Sequence, residues 1–229
     1  EGAAVVIGGR NVGNGEDISE EICGAGGDAL FARTDVGSLE QVQAIVATTL
    51  ERFGRLDCAF NNAGWEGTGS ATADTSESDW QRMIDIKLNG VWRGVREQIP
   101  AMLKGGGGSI VNMAGNWGLV GFPNYASYCA AAHGILGLTK AAALEYAGQG
   151  IRINAVCPGA VDAPLLERMV DREAAEHLAE RRGVEQAGRL ANGAAFAVDR
   201  GGHVLARLGE IPGALPLADI LEHGAVFLG

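Results

Sequence analysis

Residues 39–64 read LEQVQAIVATTLERFGRLDCAFNNAG. Val42, Ile45, Val46, Leu50 and Phe53 recur at helical spacing, and Ser38 stands where a hydroxyl can accept from an unpaired N–H of the first turn. From Leu56 to Phe60 the pattern becomes a short apolar run, a buried strand, which Asn61-Asn62-Ala63-Gly64 stops. The same alternation extends in both directions. Ala3 to Ile7, closed by Gly8-Gly9, predicts a buried strand; Asn14 to Ile22 a short polar helix; Ala29 to Ala32 a strand. Further on, 78–103 predicts a long helix, Ser109 to Met113 a strand, 125–147 a small-residue helix, and Arg152 to Val156 a strand ending at Pro158-Gly159. The run Gly105 to Gly108 joins a helix to a strand as a surface turn, and 171–182 predicts a solvated helix with charges of both signs. Strands alternating with helices give an α/β fold, a single domain with a doubly wound parallel sheet over 1–229. In such a sheet the loops after the strands hold the ligand.

Composition narrows the function. The chain has 229 residues, 47% of them hydrophobic, which is enough for one full core. A net charge of −10 without a Lys/Arg cluster excludes a phosphate-backbone binder, so no nucleic-acid partner is expected. No apolar run reaches the roughly 18 residues of a membrane span and no secretory signal opens the chain, so no membrane partner is expected. Cys23, Cys58, Cys129 and Cys157 are scattered without a CxxC pair, which reads as reduced thiols of a cytoplasmic protein with no metal site. Glycine, at 36 residues, is about twice as common as usual, so the backbone turns tightly or lies close to a ligand.

Three short motifs carry the chemistry: Asn61-Asn62-Ala63-Gly64, Tyr128 within a small-residue helix, and Pro158-Gly159-Ala160-Val161. With the flanking text FGRLDCAFNNAG, GSIVNMA and YASYCAAAHGILGLTKAAALEYAGQGIRINAVCPGAVDAP, the sequence resembles the short-chain dehydrogenase/reductase family from Glu1 to about Gln186. The resemblance implies a Rossmann-like domain that binds NADP(H) or NAD(H) and interconverts an alcohol and a carbonyl. By position, it implies that Asp35 and Val36 meet the adenine. It implies that Asn61, Ala63 and Gly64 lie along the adenosine ribose, and that Pro158, Gly159 and Val161 face the nicotinamide. Where an acidic residue would select NAD(H) the chain has Gly9, and Arg10 follows with a guanidinium suited to a 2′-phosphate, so NADP(H) is favoured.

The chain departs from the family at the reacting groups. The family's tyrosine acts as general acid/base, and a lysine four residues on lowers its pKa from about 10. Tyr128 is present, but the lysine position is Ala132, the serine position is Gly115, the asparagine position is Lys87, and the threonine after the Pro-Gly loop is Ala163. His133 points to another side of the helix from Tyr128, Lys140 is twelve residues on, roughly 18 Å along the axis, and Asn89 lies on another side of its helix from Lys87. Lys87 is therefore the candidate for the missing cation. The chain also opens at the family's second strand, without the first strand and its pyrophosphate-cradling glycine turn, which predicts a split sheet with unpaired edges.

The C-terminal order is atypical as well. Residues 188–202 resemble the family's last strand, and the helix expected before it reads instead in LADILEHGAVFLG at 217–229. One account is rearranged text, since moving 209–229 to follow Leu190 restores the family order. Another is a circular permutation, with His203 to Ala206 as a strand, Gly209 to Gly213 as a turn and Ala214 to His223 as a helix replacing the missing first unit. Two functional readings follow. One is an NADP(H)- or NAD(H)-dependent oxidoreductase with Tyr128 and Lys87 as catalytic residues. The other is an inactive relative that binds nucleotide or only oligomerises. Trp65, Trp117, Phe122 and Tyr125 suggest a hydrophobic small-molecule alcohol or ketone as substrate, and the resemblance suggests a homodimer or homotetramer built on 78–103 and 125–147.

Overall fold

A computed structural model describes residues 2–159, 196–198, 204–207 and 225–228. The elements are β1 (Ala4–Gly9), α1 (Val12–Gly24), β2 (Asp28–Arg33), α2 (Leu39–Phe53), β3 (Cys58–Asn61) and α3 (Glu77–Met83). They continue as a π-helical segment Ile84–Asn89, α4 (Gly90–Lys104), β4 (Gly108–Met113), α5 (Ala126–Tyr146), β5 (Ile151–Val156), β6 (Phe196–Val198), β7 (Val204–Arg207) and β8 (Ala225–Leu228). The sheet order is β2-β1-β8-β3-β4-β5-β6-β7. β1 pairs with β2, β3 with β4 and β4 with β5, all parallel, as expected of a doubly wound α/β domain.

Local patterning accounts for most of this. In α2 the Ser38 hydroxyl accepts from Gln41 N–H, while Val42, Ile45, Val46 and Thr49 are buried. The helix stops at Gly54, whose φ of 78° suits a residue without Cβ. β1 buries Val5, Val6 and Ile7. The core joins Val6, Ile45, Leu56, Val95, Met102, Ile110, Ile135, Ile151 and Ala155 from both ends of the chain's first 160 positions. The expected single helix over 78–103 is interrupted: α3 and α4 are joined by a π-helical turn, a wider coil that often marks functional positions.

Three expectations about the sheet are corrected. It is not split, because β8 inserts between β1 and β3 and runs antiparallel to both, with Val5 opposite Leu228, Gly8 opposite Ala225 and Ala59 opposite Phe227. Two facing strands with unpaired N–H and C=O groups draw in any apolar, β-branched segment that can reach them. The second correction follows, since Ala225–Leu228 is strand where the family order predicts helix. Third, Val204–Arg207 is a strand, but it forms the outer edge of the sheet beside β6 and not the central position that the permuted order predicts. Phe196–Val198 does lie beside β5, antiparallel, through Val156 opposite Ala197. The predicted helices at 171–182 and 214–223 and the turn at 209–213 lie outside the described residues.

Candidate active site

Two neighbouring clusters form at the carboxyl ends of the parallel strands. The first is a cavity of about 170 Å³ bounded by Gly8, Gly9 and Arg10 after β1, by Thr34, Asp35 and Val36 after β2, and by Asn61, Ala63 and Gly64 after β3. Ile86, Gly90, Val91 and Gly94 close it from the helix side. Six residues named from sequence, Arg10, Asp35, Val36, Asn61, Ala63 and Gly64, thus line one space.

The walls are fixed by hydrogen bonds and close contacts. Asp35 accepts from Gly37 N–H at 2.9 Å, and its own N–H donates to Gln41 Oε1 at 2.9 Å. Arg93 donates to Val36 O at 2.9 Å and pairs with Asp85, so it ties the β2 loop to the π-helical turn. Asn61 is buried and exchanges amide bonds with Gln98 at 3.0 and 2.7 Å. It also donates to Asn112 Oδ1 at 2.9 Å, and Asn112 in turn donates to Thr139 Oγ1 at 3.0 Å. Gly90 and Gly94, one turn apart, let α4 approach. A Cβ on Gly94 would stand 2.5 Å from Asn61 Oδ1, and one on Gly90 2.9 Å from Val36 Cγ2. Sequence reasoning missed Gln98, Asn112, Thr139, Gly90 and Gly94; the four-residue glycine spacing was the one available signal.

The second cluster centres on Tyr128. Lys87, on the π-helical turn, is 4% exposed and its Nζ lies 4.2 Å from the centre of the Tyr128 ring. No carboxylate among the described residues forms an ion pair with it. Asn89 is engaged elsewhere, donating to Asp85 at 3.3 Å, and His133 is exposed with Nδ1 on Cys129 O. Gly115 faces the Tyr128 hydroxyl: a Cβ there would lie 3.2 Å from Oη, and the φ of 91° disfavours any side chain. Ala132 is fully buried against Gly118, where a Cβ would meet its carbonyl oxygen at 3.0 Å. Pro158 reaches the cluster by accepting from Asn116 N–H at 2.9 Å; Gly159 follows it, while Val161 and Ala163 lie outside the described residues.

Cys157, 1% exposed at the end of β5, has its thiol pushed up to about 11 by burial, with the Lys87 charge opposing. The folded state therefore holds this proton at pH values where an unfolded thiol, at 9.0, has lost it. Stability is expected to be complete below pH 9 and to fall by about 2 kcal/mol as pH rises to 11, measured by urea unfolding. A flat profile for the wild type and Cys157→Ala alike would contradict this.

Residues 1–174 match the family model described as short chain dehydrogenase. The chain belongs to the short-chain dehydrogenase family. It is 42% identical over 173 residues to a cyclohexanol dehydrogenase of Acinetobacter sp. strain SE19, covering 76% of this chain and 69% of that one. It is 41% identical over 168 residues to a 3beta-hydroxysteroid dehydrogenase of Mediterraneibacter gnavus, covering 73% and 60%. The chain thus spans about two thirds of the length of these relatives. Among solved structures it resembles levodione reductase, with TM-score 0.73 and 34% identity over 81% of this chain and 78% of that one. Carveol dehydrogenase from Mycobacterium avium in complex with NAD gives 0.65 and 34%, over 67% and 57%.

Among the described residues no helix is long and apolar enough to cross a membrane, and no grouping of His, Cys, Asp and Glu is suited to a metal.

Proposed function

We propose that this short-chain dehydrogenase interconverts a hydrophobic small-molecule alcohol and its carbonyl with NADP(H) or NAD(H), using Tyr128 and Lys87. The observation that carries the reading is the buried Lys87 ammonium 4.2 Å from the Tyr128 ring. Burying an ammonium without a carboxylate costs several kcal/mol, of which a desolvated cation–π contact returns about 2. A charge held at a net cost beside a phenol is a candidate for chemistry.

The cavity fits the adenosine half of a dinucleotide. Its walls combine glycine and alanine backbone with the apolar side chains of Val36, Ile45 and Ile86, and Arg10, Thr34, Asp35 and Asn61 bring the polar groups. Bound cofactor supplies the hydride acceptor or donor. In oxidation Tyr128 Oη takes the proton of the substrate hydroxyl, and the Lys87 charge stabilises the phenolate that exists before the proton arrives. In reduction the same oxygen delivers a proton to the carbonyl oxygen. Tyr128 and Lys87 thus divide the work the family spreads over four side chains, with Gly115 contributing none.

Arg10 is exposed at the rim of the cavity and supports the NADP(H) preference. Arg10→Ala is expected to weaken NADPH binding about tenfold, the value of one charge-assisted contact, and to leave NADH within twofold. Fluorescence titration decides it, and equal losses for both nucleotides would overturn the preference. A homo-oligomer through α4 and α5 is supported by the exposed Trp92 and Leu144, and a cytoplasmic setting by four free cysteines. The non-catalytic reading rests on one observation: at the centre of the sheet the antiparallel β8 stands where the family has a strand leading into its glycine turn. Progress curves at 340 nm with NADPH or NADH and a cyclic or acyclic ketone separate the two readings. Turnover is expected; nucleotide binding without turnover would favour the second.

A further inference from the structure

We infer that Trp117 is the specificity-determining residue of this site and that it selects substrates whose carbinol or carbonyl carbon belongs to a ring. The inference rests on the reading of Tyr128 as the group that meets the substrate oxygen. It starts from what surrounds that oxygen. On the β4 side Gly115 offers no side chain, and two residues on, Trp117 packs against the Tyr128 ring. The indole meets the Tyr128 ring edge-on, with centroids 5.1 Å apart and planes at 76°. It stacks on Phe122 at 4.3 Å and 12°, and Tyr125 completes the corner at 4.9 Å.

The corner is built to stay in place. Asn116 N–H donates to Pro158 O, Gly118 N–H to Gly115 O and Leu119 N–H to Asn116 O, at 2.9 to 3.0 Å, which closes the turn carrying Trp117. Gly118 presses that turn on Ala132. From the other side Ser70 N–H donates to Asn124 O at 2.9 Å, and Gly69 lies under the Tyr125 hydroxyl, so the loops after β3 and β4 are bridged. The four rings remain only partly buried, and the apolar surface continues through Leu119 and Val120, which are 42% and 56% exposed. An open apolar surface beside a reacting hydroxyl is a ligand surface more often than an accident of packing.

A rigid wall of this kind discriminates by shape. A carbon ring lays one whole face on the partly exposed surface of this aromatic corner and gains dispersion contacts together, with no torsions to freeze. An open chain of equal carbon count must immobilise several bonds for the same contact, which costs conformational entropy. The expected preference is therefore about tenfold in affinity.

The test uses the whole chain with cyclohexanone and 2-hexanone. Dissociation constants come from ligand-observed saturation-transfer NMR, which needs no turnover, and kcat/KM is measured beside them. The wild type is expected to bind cyclohexanone about tenfold tighter. Trp117→Ala should reduce that ratio to within twofold, and Trp117→Phe should keep most of it. Circular dichroism checks that each variant is folded, and NADPH titration checks that the nucleotide site is unchanged. Equal binding of the two ketones by the wild type, or a preference that survives in Trp117→Ala, would overturn the inference. A preference in binding without turnover would sustain it and count against the catalytic reading of Tyr128 instead.

Discussion

Tyr128→Phe is expected to lower kcat/KM for reduction of a cyclic ketone by about 10³-fold, within the range that a positioned general acid contributes. The substitution removes one oxygen and leaves the ring. The edge contact to Trp117 and the Lys87 contact on the ring face should both survive, so melting temperature and NADPH affinity should stay near wild type. The loss therefore isolates proton transfer from packing. Stopped-flow or steady-state assays at 340 nm would show it. A Tyr128→Phe protein with full turnover would remove Tyr128 from the chemistry.

Lys87→Met should cost about 10²–10³-fold in kcat, the usual value of one electrostatic contact to developing charge. The stability prediction has the opposite sign. Lys87 is buried and pairs with no carboxylate among the described residues, and replacing such an ammonium by an apolar side chain of similar length is often neutral or stabilising by about 1–4 kcal/mol. A more stable, less active protein is the signature of a charge kept for function. A lysine that only filled space would lose little activity on replacement by methionine. Retained activity in Lys87→Met would thus show that the cation is dispensable, whatever the melting temperature does. Lys87→Arg carries the charge on a wider head that does not match the same gap, and only partial activity is expected.

Much of this molecule was legible in its sequence, and the limit falls where contacts become non-local. Helix α2 appears at its predicted bounds with its predicted Ser38 cap, because amphipathic spacing and capping are decided within a few residues. Arg10, Asp35, Val36, Asn61, Ala63 and Gly64 converge because they lie at or just after the carboxyl ends of β1, β2 and β3, which run in one direction. The Lys87–Tyr128 contact was named only as a candidate, since it depends on the π-helical turn between α3 and α4, which periodicity does not reveal. The position of β8 was misread, as pairing between a C-terminal segment and the strands β1 and β3 leaves no local pattern. Of the aromatic residues named, Trp117, Phe122 and Tyr125 gather beside Tyr128, whereas Trp65 packs under the Arg82 guanidinium at 4.3 Å.

As proposed, this dehydrogenase, with Ala132 and Gly115 at the family's lysine and serine positions, moves a proton through Tyr128 with Lys87 as the cation. The most direct measurement is the 340 nm progress curve of the wild type, Tyr128→Phe and Lys87→Met, side by side, with NADPH and cyclohexanone. The account predicts steady nucleotide oxidation by the wild type, a rate lower by about 10² or more in each variant, and unchanged NADPH binding in all three. Three flat traces from proteins that bind NADPH, or three equal slopes, would contradict it.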